Sequence, residues 1–271
     1  RFALRSLARA PSFAVVTVAT LALGIGATGA VFSVLRAVVL EPLPYADADR
    51  LVRLESAVPG LAPDERWHLA KGQYRHLRAN ASSLEQIGLY AFNVTTIGTE
   101  GGGTPAAQRA RIAMVDPYLS RTLSVTLPLG RAFTEQESLD SAPVVILTDG
   151  YWQRAFARDG SVLGTTVSLD GTANEIVGVL PPGFQLPEEA SNPSDPVALW
   201  IPLAVDPSEA ARNNHLYRAI GRLAPAADVG VANAELLRLS AQLPDVFPEA
   251  YSASFMEEFG FHAVATPLQE D

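Results

Sequence analysis

The chain has 271 residues, 48% of them hydrophobic, so it can bury a core as one large domain or two small ones. Its formal net charge of −9 argues against a nucleic-acid binder that neutralises phosphates. Cysteine is absent, which excludes disulfides, thiolate zinc sites and a cysteine nucleophile.

A long uncharged run lies near the start of the chain, at residues 12–35. About 20 apolar residues suffice to cross a bilayer as a helix, and we therefore predict a transmembrane helix at residues 12–40. A cleaved signal peptide is the alternative. Its apolar region is usually only about 7–15 residues long and ends at a small-residue cleavage site, which favours a retained helix here.

The charges on either side of this helix predict its direction. Arg1, Arg5 and Arg9 recur every four residues, which predicts an interfacial helix at residues 1–11 whose arginines face the phosphates of the lipid bilayer. Residues 1–40 carry a charge of +4, which leaves −13 for the remainder. Because positive charge stays inside, we predict a bacterial inner-membrane protein with a cytoplasmic N-terminus and a periplasmic remainder.

Small residues recur within the predicted helix, at Ala22, Gly26 and Ala30. This spacing lets a second helix approach closely, although alanine and glycine are also common in membrane helices in general. Residues 24–29 also match the dinucleotide fingerprint G-x-G-x-x-G. We reject a nucleotide site, because Pro42 and Pro44 stand where a central strand would have to lead to the acidic residue.

The exported remainder opens and closes with alternating strand and helix patterns. At its start the sequence predicts a strand at 51–55, a loop at 58–63, a helix at 69–77, a short helix at 84–87 capped by Ser83 and Gln86, a strand at 89–97 and a glycine turn at 101–103. At its end it predicts a strand at 216–223, an amphipathic helix at 229–243 and a strand at 261–268.

The middle of the chain is predicted to be rich in β-structure. Its predicted elements are a strand at 108–115, a short helix opened by Asp116 and Pro117, a polar turn at 134–137, a buried strand at 143–147, a helix at 149–158, a hairpin of 165–169 with 175–179 through Asp170 and Gly171, and at best an edge strand at 197–203, which Pro202 interrupts. We therefore predict an α+β fold: a split βαβ lobe of residues 50–103 and 213–271, and an inserted β-rich lobe of residues 104–212.

No pattern of catalytic or metal-binding residues occurs. The four histidines, which form no H-x-x-x-H pair and are expected at the surface or at interfaces, are His68, His76, His215 and His262. Glu188, Glu189 and Asp195 could act as paired carboxylates, but their proline-containing loop favours solvated side chains. Trp152, Trp200 and Phe133 are expected in the core.

The nucleophile elbow G-x-S-x-G and the phosphate-binding motif of ATPases are both absent from the sequence. We predict that the chain is not an enzyme and has no catalytic residue, metal site or cofactor.

Several segments carry a family resemblance by their order along the chain. They are LRSLARAPSF, LALGIGATGAVFSVLRAVVLEPLPYADADRLVRL, PLGRAFTEQE, APVVILTDGYWQRAFARDGSVLGTTVSLDG, EIVGVLPPGF and LYRAIGRLAPAADVGVANAELLRLSAQL. The first two resemble the first membrane helix of MacB/FtsX-type ABC transporter permeases, most closely the branch known as duplicated orphan permeases. The others resemble the MacB-like periplasmic core domain.

The resemblance implies a periplasmic domain between the first and second membrane helices, with a porter lobe (residues 50–103 and 213–271) and a sabre lobe (residues 104–212). It implies a permease homodimer or tandem pair driven by a separate cytoplasmic ABC ATPase. ATP hydrolysis would then be coupled to export (efflux) or to mechanotransmission toward a periplasmic partner protein.

The chain begins at Arg1 and stops at Asp271, where the second membrane helix should begin. We therefore expect a fragment truncated at both ends that does not transport by itself. The alternative function is a self-contained, membrane-anchored periplasmic binding or adaptor module. An exported enzyme is disfavoured, because the sequence lacks a nucleophile–base or metal constellation.

Overall fold

A computed structural model describes residues 11–35, 45–98, 107–189, 194–206 and 213–269. It divides the chain into two compact units, Arg1–Leu43 and Pro44–Asp271. The predicted interfacial helix with Arg1, Arg5 and Arg9 falls almost wholly outside the described residues, and the glycine turn at 101–103 falls outside them too.

The described part of the first unit is one helix, α1, Pro11–Leu35. The side chains of residues 19–29 are all exposed, including those of Leu21, Leu23 and Ile25. The Thr20 hydroxyl donates a hydrogen bond to the carbonyl oxygen four residues earlier, so this exposed polar group has a partner within the helix. Within the described ranges, no helix is both long enough and apolar enough to qualify as one that crosses a membrane.

The second unit is built on one continuous sheet of eleven strands, as far as its residues are described. The strands are β1 Leu51–Val58, β2 Ala62–Trp67, β3 Leu84–Gly98, β4 Gln108–Val115, β5 Leu129–Gly130, β6 Val144–Leu147, β7 Thr166–Leu169, β8 Thr172–Val179, β9 Leu199–Pro202, β10 Arg218–Leu223 and β11 His262–Pro267. Their order is β11-β1-β10-β3-β4-β9-β6-β8-β5, while β2 pairs with β1 and β7 pairs with both β3 and β8. The mixed α+β fold class is confirmed.

Short helices connect the strands, and several begin at a side-chain cap. They are α2 Lys71–Asn80, α3 Leu119–Thr122, α4 Glu135–Leu139, α5 Asp149–Phe156, α6 Val229–Ser240, α7 Leu243–Val246 and α8 Ala253–Phe259. The polar turn predicted at 134–137 is wrong. Thr134 and Glu137 form a reciprocal capping box there, which starts α4.

Strand β3 is shared by the two halves of the sheet. Its first half pairs with β10 and its second half with β4, and Tyr90 stands opposite both Arg218 and Val115. The short helix predicted at residues 84–87 is therefore wrong. Two apolar residues three positions apart do not distinguish a strand from a helix in so short a segment. Pairing with β10 makes these residues part of a strand.

We call residues 45–98 and 213–269 the split region. In this region α2 and α6 supply apolar side chains to one core, together with β1, β3, β10 and β11. Core residues that represent these elements are Leu54, Leu77, Leu89, Leu236 and Ala265.

The outer edge of β11 is covered by side chains of α6. The Asn233 amide both donates to and accepts from the backbone of Ala265, at 3.0 and 2.7 Å, and the Ser240 hydroxyl accepts the backbone N–H of Ala263 at 2.8 Å. Covering an edge strand in this way blocks pairing with another chain.

We call residues 107–206, within the described ranges, the inserted region. Strands β4, β9, β6, β8 and β7 of this region close a ring with the second half of β3. A second apolar core includes Ile97, Ile112, Leu147, Ile176 and Leu199, with Tyr151 from α5. The porter and sabre lobe boundaries stay predictions.

Two predictions in the inserted region have opposite outcomes. The β7–β8 hairpin is confirmed, with positive φ values of 45° at Asp170 and 86° at Gly171, which suit its two-residue turn. The edge position predicted for residues 197–203 is wrong, because β9 lies between β4 and β6. Pro202 is tolerated there because it is the last residue of β9. Its missing N–H therefore does not interrupt the hydrogen bonds between β9 and its neighbours.

Candidate functional site

Glu188 joins the two regions of the second unit. We call Glu188 and its three partners, Tyr90, Arg218 and Arg53, the Glu188 joint. The Glu188 carboxylate accepts a hydrogen bond from the Tyr90 hydroxyl at 2.7 Å. It also lies 3.0 Å from Arg218 Nε and 4.0 Å from Arg53 Nε. One carboxylate of the inserted region therefore binds β3, β10 and β1.

The Glu188 joint lies on the sheet face opposite the core of the split region. Arg53 alternates along β1 with Val52 and Leu54, whose side chains pack in that core. The guanidinium groups of Arg218 and Arg111 lie over the ring of Phe92, at 5.1 and 3.8 Å from its centroid. These cation–π contacts extend the polar joint across β3 to β4.

Glu189, next to the joint, fixes the loop that carries it. Its carboxylate is almost fully buried and accepts backbone N–H groups of Val197 at 2.8 Å and Leu186 at 3.2 Å. Burial raises the pKa of Glu189, and the two backbone hydrogen bonds oppose that shift. The prediction that Glu188 and Glu189 lie in a solvated loop is therefore wrong.

Tyr45 attaches the start of the second unit to the same loop. Its hydroxyl donates to the carbonyl oxygen of Gln185 at 2.6 Å, and its ring contacts Phe184, which in turn packs on the buried Trp200. Burial is the main cause that raises the pKa of Tyr45 above its ordinary value, and the nearby Glu189 and Glu188 add to it. The expected core position of Trp200 is confirmed.

The first strand of the second unit begins where its last strand ends. The backbone N–H of Leu268, just after β11, donates to the carbonyl oxygen of Leu51 at the start of β1. Arg222 on β10 donates to the carbonyl oxygens of Ala46 and Thr122, both at 2.9 Å. The segment before β1 is thus bonded to the sheet at the end where β1 begins and β11 ends.

Comparison with known proteins identifies the family. The model of the MacB-like periplasmic core domain matches residues 14–239. The chain belongs to this family. The resemblance to MacB/FtsX-type permeases inferred from the sequence is thereby confirmed, and the chain is a MacB-like domain of ABC transporter permeases.

Solved structures share the fold of this MacB-like domain. A domain of a putative permease from Porphyromonas gingivalis has a TM-score of 0.58 at 16% identity, covering 82% of this chain and 92% of that one. The periplasmic region of MacB from Actinobacillus actinomycetemcomitans has a TM-score of 0.53 at 14% identity, covering 80% and 89%. No curated protein matches the chain.

The histidines of the MacB-like domain hold structural positions. His76 is buried, with Nε2 3.1 Å from the carbonyl oxygen of Leu239, so its predicted surface position is wrong. His215 packs among aromatic rings, with Nδ1 2.7 Å from the carbonyl oxygen of His68. In the described part of the chain, no group of three or more potential ligands could hold a metal ion.

The predicted membrane-helix residues are only partly described. Ala22 and Gly26 are exposed on α1, and a Cβ added at Gly26 would meet nothing within 4 Å. The side chain of Ala30 lies outside the described residues. Their role in helix packing stays a prediction. No local sequence pattern predicts the Glu188 joint, because its partner Tyr90 is 98 positions away.

Proposed function

We propose that the chain forms the periplasmic core domain and first membrane helix of an ABC transporter permease that couples cytoplasmic ATP hydrolysis to export or periplasmic mechanotransmission. The observation that carries the proposal is the pairing of Leu268 with Leu51. A domain held at two adjacent points moves as the two connecting segments move.

The path of such a motion follows the sheet. Strand β1 begins at the attachment end, β10 pairs with both β1 and β3, and β3 continues into the inserted region. The Glu188 joint adds side-chain bonds on the sheet face opposite the first core. A displacement at Leu51 is therefore passed on through backbone hydrogen bonds and one multiply bonded carboxylate, which resist shear better than a flexible linker.

In this proposal the split region is the porter lobe and the inserted region the sabre lobe. Their separate apolar cores support that division. The lobes act as one lever on a substrate or a periplasmic partner protein, and the chain itself performs no chemistry.

The proposed membrane span is residues 12–40. Exposed apolar side chains around α1, such as Leu23 at 78% and Ile25 at 72%, favour an apolar environment. Arg1, Arg5 and Arg9 would lie at the cytoplasmic surface, and Ala22, Gly26 and Ala30 would pack against a further helix. The proposed partners are a separate cytoplasmic ABC ATPase and a second permease chain, as a homodimer or tandem pair.

No cysteine occurs in these 271 residues, so a single introduced cysteine can report topology once any cysteine elsewhere in the full-length protein has been replaced. Ser6→Cys and Ser161→Cys would be made singly in the full-length protein and treated with a membrane-impermeant maleimide. We expect Ser161→Cys to react once the outer membrane is permeabilised, and Ser6→Cys to react only after the inner membrane is disrupted. Reaction of both before that point would contradict the proposed orientation.

A second test addresses the coupling to ATP. We expect the full-length protein to co-purify with a cytoplasmic ABC ATPase, and spin labels at Ser254→Cys and Ser161→Cys to keep one narrow distance distribution with and without ATP. Glu188→Ala should broaden that distribution. Recovery with envelope proteins alone, without an ATPase, would favour the adaptor module instead.

A further inference from the structure

A cavity of about 190 Å³ lies between α2 of the split region and α4 of the inserted region. Its lining also includes the turn after β4 and the segment after β9, at Leu203 and Val205. The residues of the Glu188 joint do not line it. It is therefore a separate point at which the two regions meet.

One residue of the lining has a buried hydroxyl without a bonding partner. Ser138 is 3% exposed, lines the cavity, and its Oγ has no hydrogen bond within the described residues. A buried polar atom left unpaired costs free energy, which a suitable ligand or water would recover. The cavity is large enough to hold more than a single water molecule.

A second buried polar group of the lining, the carboxyl group of Asp116, already has hydrogen-bond partners. Asp116 accepts hydrogen bonds from the Tyr74 hydroxyl and from the backbone N–H of Leu119 and Tyr118. Burial raises the pKa of Asp116 to about 7, so its negative charge is partly suppressed near neutral pH. A bound anion would meet less repulsion from it than from an exposed aspartate.

Two arginines of α2 supply positive charge to the lining. Arg75 and Arg78 are three residues apart, and the guanidinium of Arg78 lies 3.2 Å from the centre of the Tyr118 ring. Among the described residues neither arginine forms an ion pair. The remaining acid in the lining is Glu135, which after burial is the next cause that raises the pKa of Tyr118.

The other lining side chains are apolar and include Leu139, which is 53% exposed at the cavity. We propose that the cavity binds a small organic anion, a carboxylate with a short apolar tail, held by Arg75, Arg78 and the Ser138 hydroxyl. The tail packs against Leu139 and Val205. Because α2 and α4 belong to different regions, the ligand ties them together.

The test uses the full chain in detergent with hexanoate as the probe and hexanol as the uncharged match. We expect saturable hexanoate binding by calorimetry and binding of hexanol at least about tenfold weaker, because hexanol lacks the charge-assisted hydrogen bonds. Arg75→Ala and Arg78→Ala should each weaken hexanoate binding about tenfold, whereas Arg154→Ala, an exposed arginine on α5, should not.

Ser138→Ala separates a ligand role from a structural one. Because the Ser138 Oγ has no partner in the described structure, the variant should keep or slightly raise the Tm of the parent, and it should bind hexanoate more weakly than the parent does. Equal binding of hexanol and hexanoate, no saturable binding of hexanoate, or an equal loss in Arg154→Ala would overturn the proposal. None of these outcomes bears on membrane topology or ATPase partnership.

Discussion

The split and inserted regions bury the same kind of strand in two different ways. In the split region, helices α2 and α6 supply the core over one face of an open sheet, and the edge strand β11 depends on α6 side chains for its outer hydrogen bonds. In the inserted region, five strands close into a ring with the second half of β3 around their own core. The split region therefore depends on its helices, whereas the inserted region depends mainly on strand pairing.

The largest expected effect tests this dependence in α6. Leu236→Ala removes a fully buried side chain from the core of the split region and should cost about 2–5 kcal/mol of unfolding free energy. Hydrogen exchange should show lost protection in β1, β10 and β11 and retained protection in β6 and β8. The adjacent Leu237→Ala, 55% exposed, is the matched control and should change stability by less than about 0.5 kcal/mol.

The next largest effect is a pH dependence at Asp116, where the two regions adjoin. Burial raises the pKa of Asp116 to about 7, so its contribution to stability is complete below about pH 4 and is lost as the pH rises through 7. Relative to Asp116→Asn, the parent should lose about 4 kcal/mol across that range in urea unfolding.

Glu137 gives the opposite sign and serves as the control. Its hydrogen bond with Arg131 lowers the pKa of Glu137 to about 2, so its contribution is present above about pH 4 and is lost on acidification. If Glu137→Gln and Asp116→Asn altered the pH profile in the same direction, the assignment of the Asp116 effect to burial would be wrong.

Removing the Glu188 joint should have a smaller effect and a different signature. Glu188→Ala deletes the acceptor for Tyr90 and the partner of Arg218, and should cost about 1.5–3 kcal/mol. We expect calorimetry to show the two regions unfolding in separate steps. The exposed Glu257→Ala is the control, and a single unchanged transition in Glu188→Ala would remove the joint from the proposed coupling path.

The smallest effect concerns the edge of β11. Asn233→Ala removes the amide that pairs with Ala265 and should cost about 1–2 kcal/mol. An uncovered edge strand should also promote self-association, measurable by sedimentation. Asn80→Ala removes an amide that bonds within its own helix, to the carbonyl oxygen of His76, and should leave the sedimentation profile unchanged.

Local patterns predicted those elements whose signals lie within a few residues. The strand at 108–115 matches β4, and the turn dipeptide at Asp170 predicted the β7–β8 hairpin. Strand β2 was missed because its Pro-Asp-Glu-Arg centre shows no apolar alternation, and it forms only through pairing with β1. The helix predicted at 84–87 failed because two apolar residues three positions apart, Leu84 and Ile87, are too few to establish a helical periodicity.

The candidate site could not be predicted in the same way. Glu188 meets Tyr90 and Arg218 only after the chain has folded, and its own neighbours in sequence are prolines and acids typical of a solvated loop. Asp116, by contrast, was predicted to cap a helix with Pro117 as its first residue. That helix, α3, begins only at Leu119, so the predicted start is wrong, although the Asp116 carboxylate does accept the N–H of Leu119. A capping signal lies within a few residues, whereas an ion pair between a loop and a distant strand leaves no local pattern.

The hydrogen bond between Leu51 and Leu268 also bears on how such a domain can be inserted into another protein. A module whose entry and exit strands are neighbours fits into a single loop of another protein without separating the flanking segments. The second unit can therefore be transplanted as a cassette, and grafting residues 45–269 into a short loop between two helices should yield an independently folded insert.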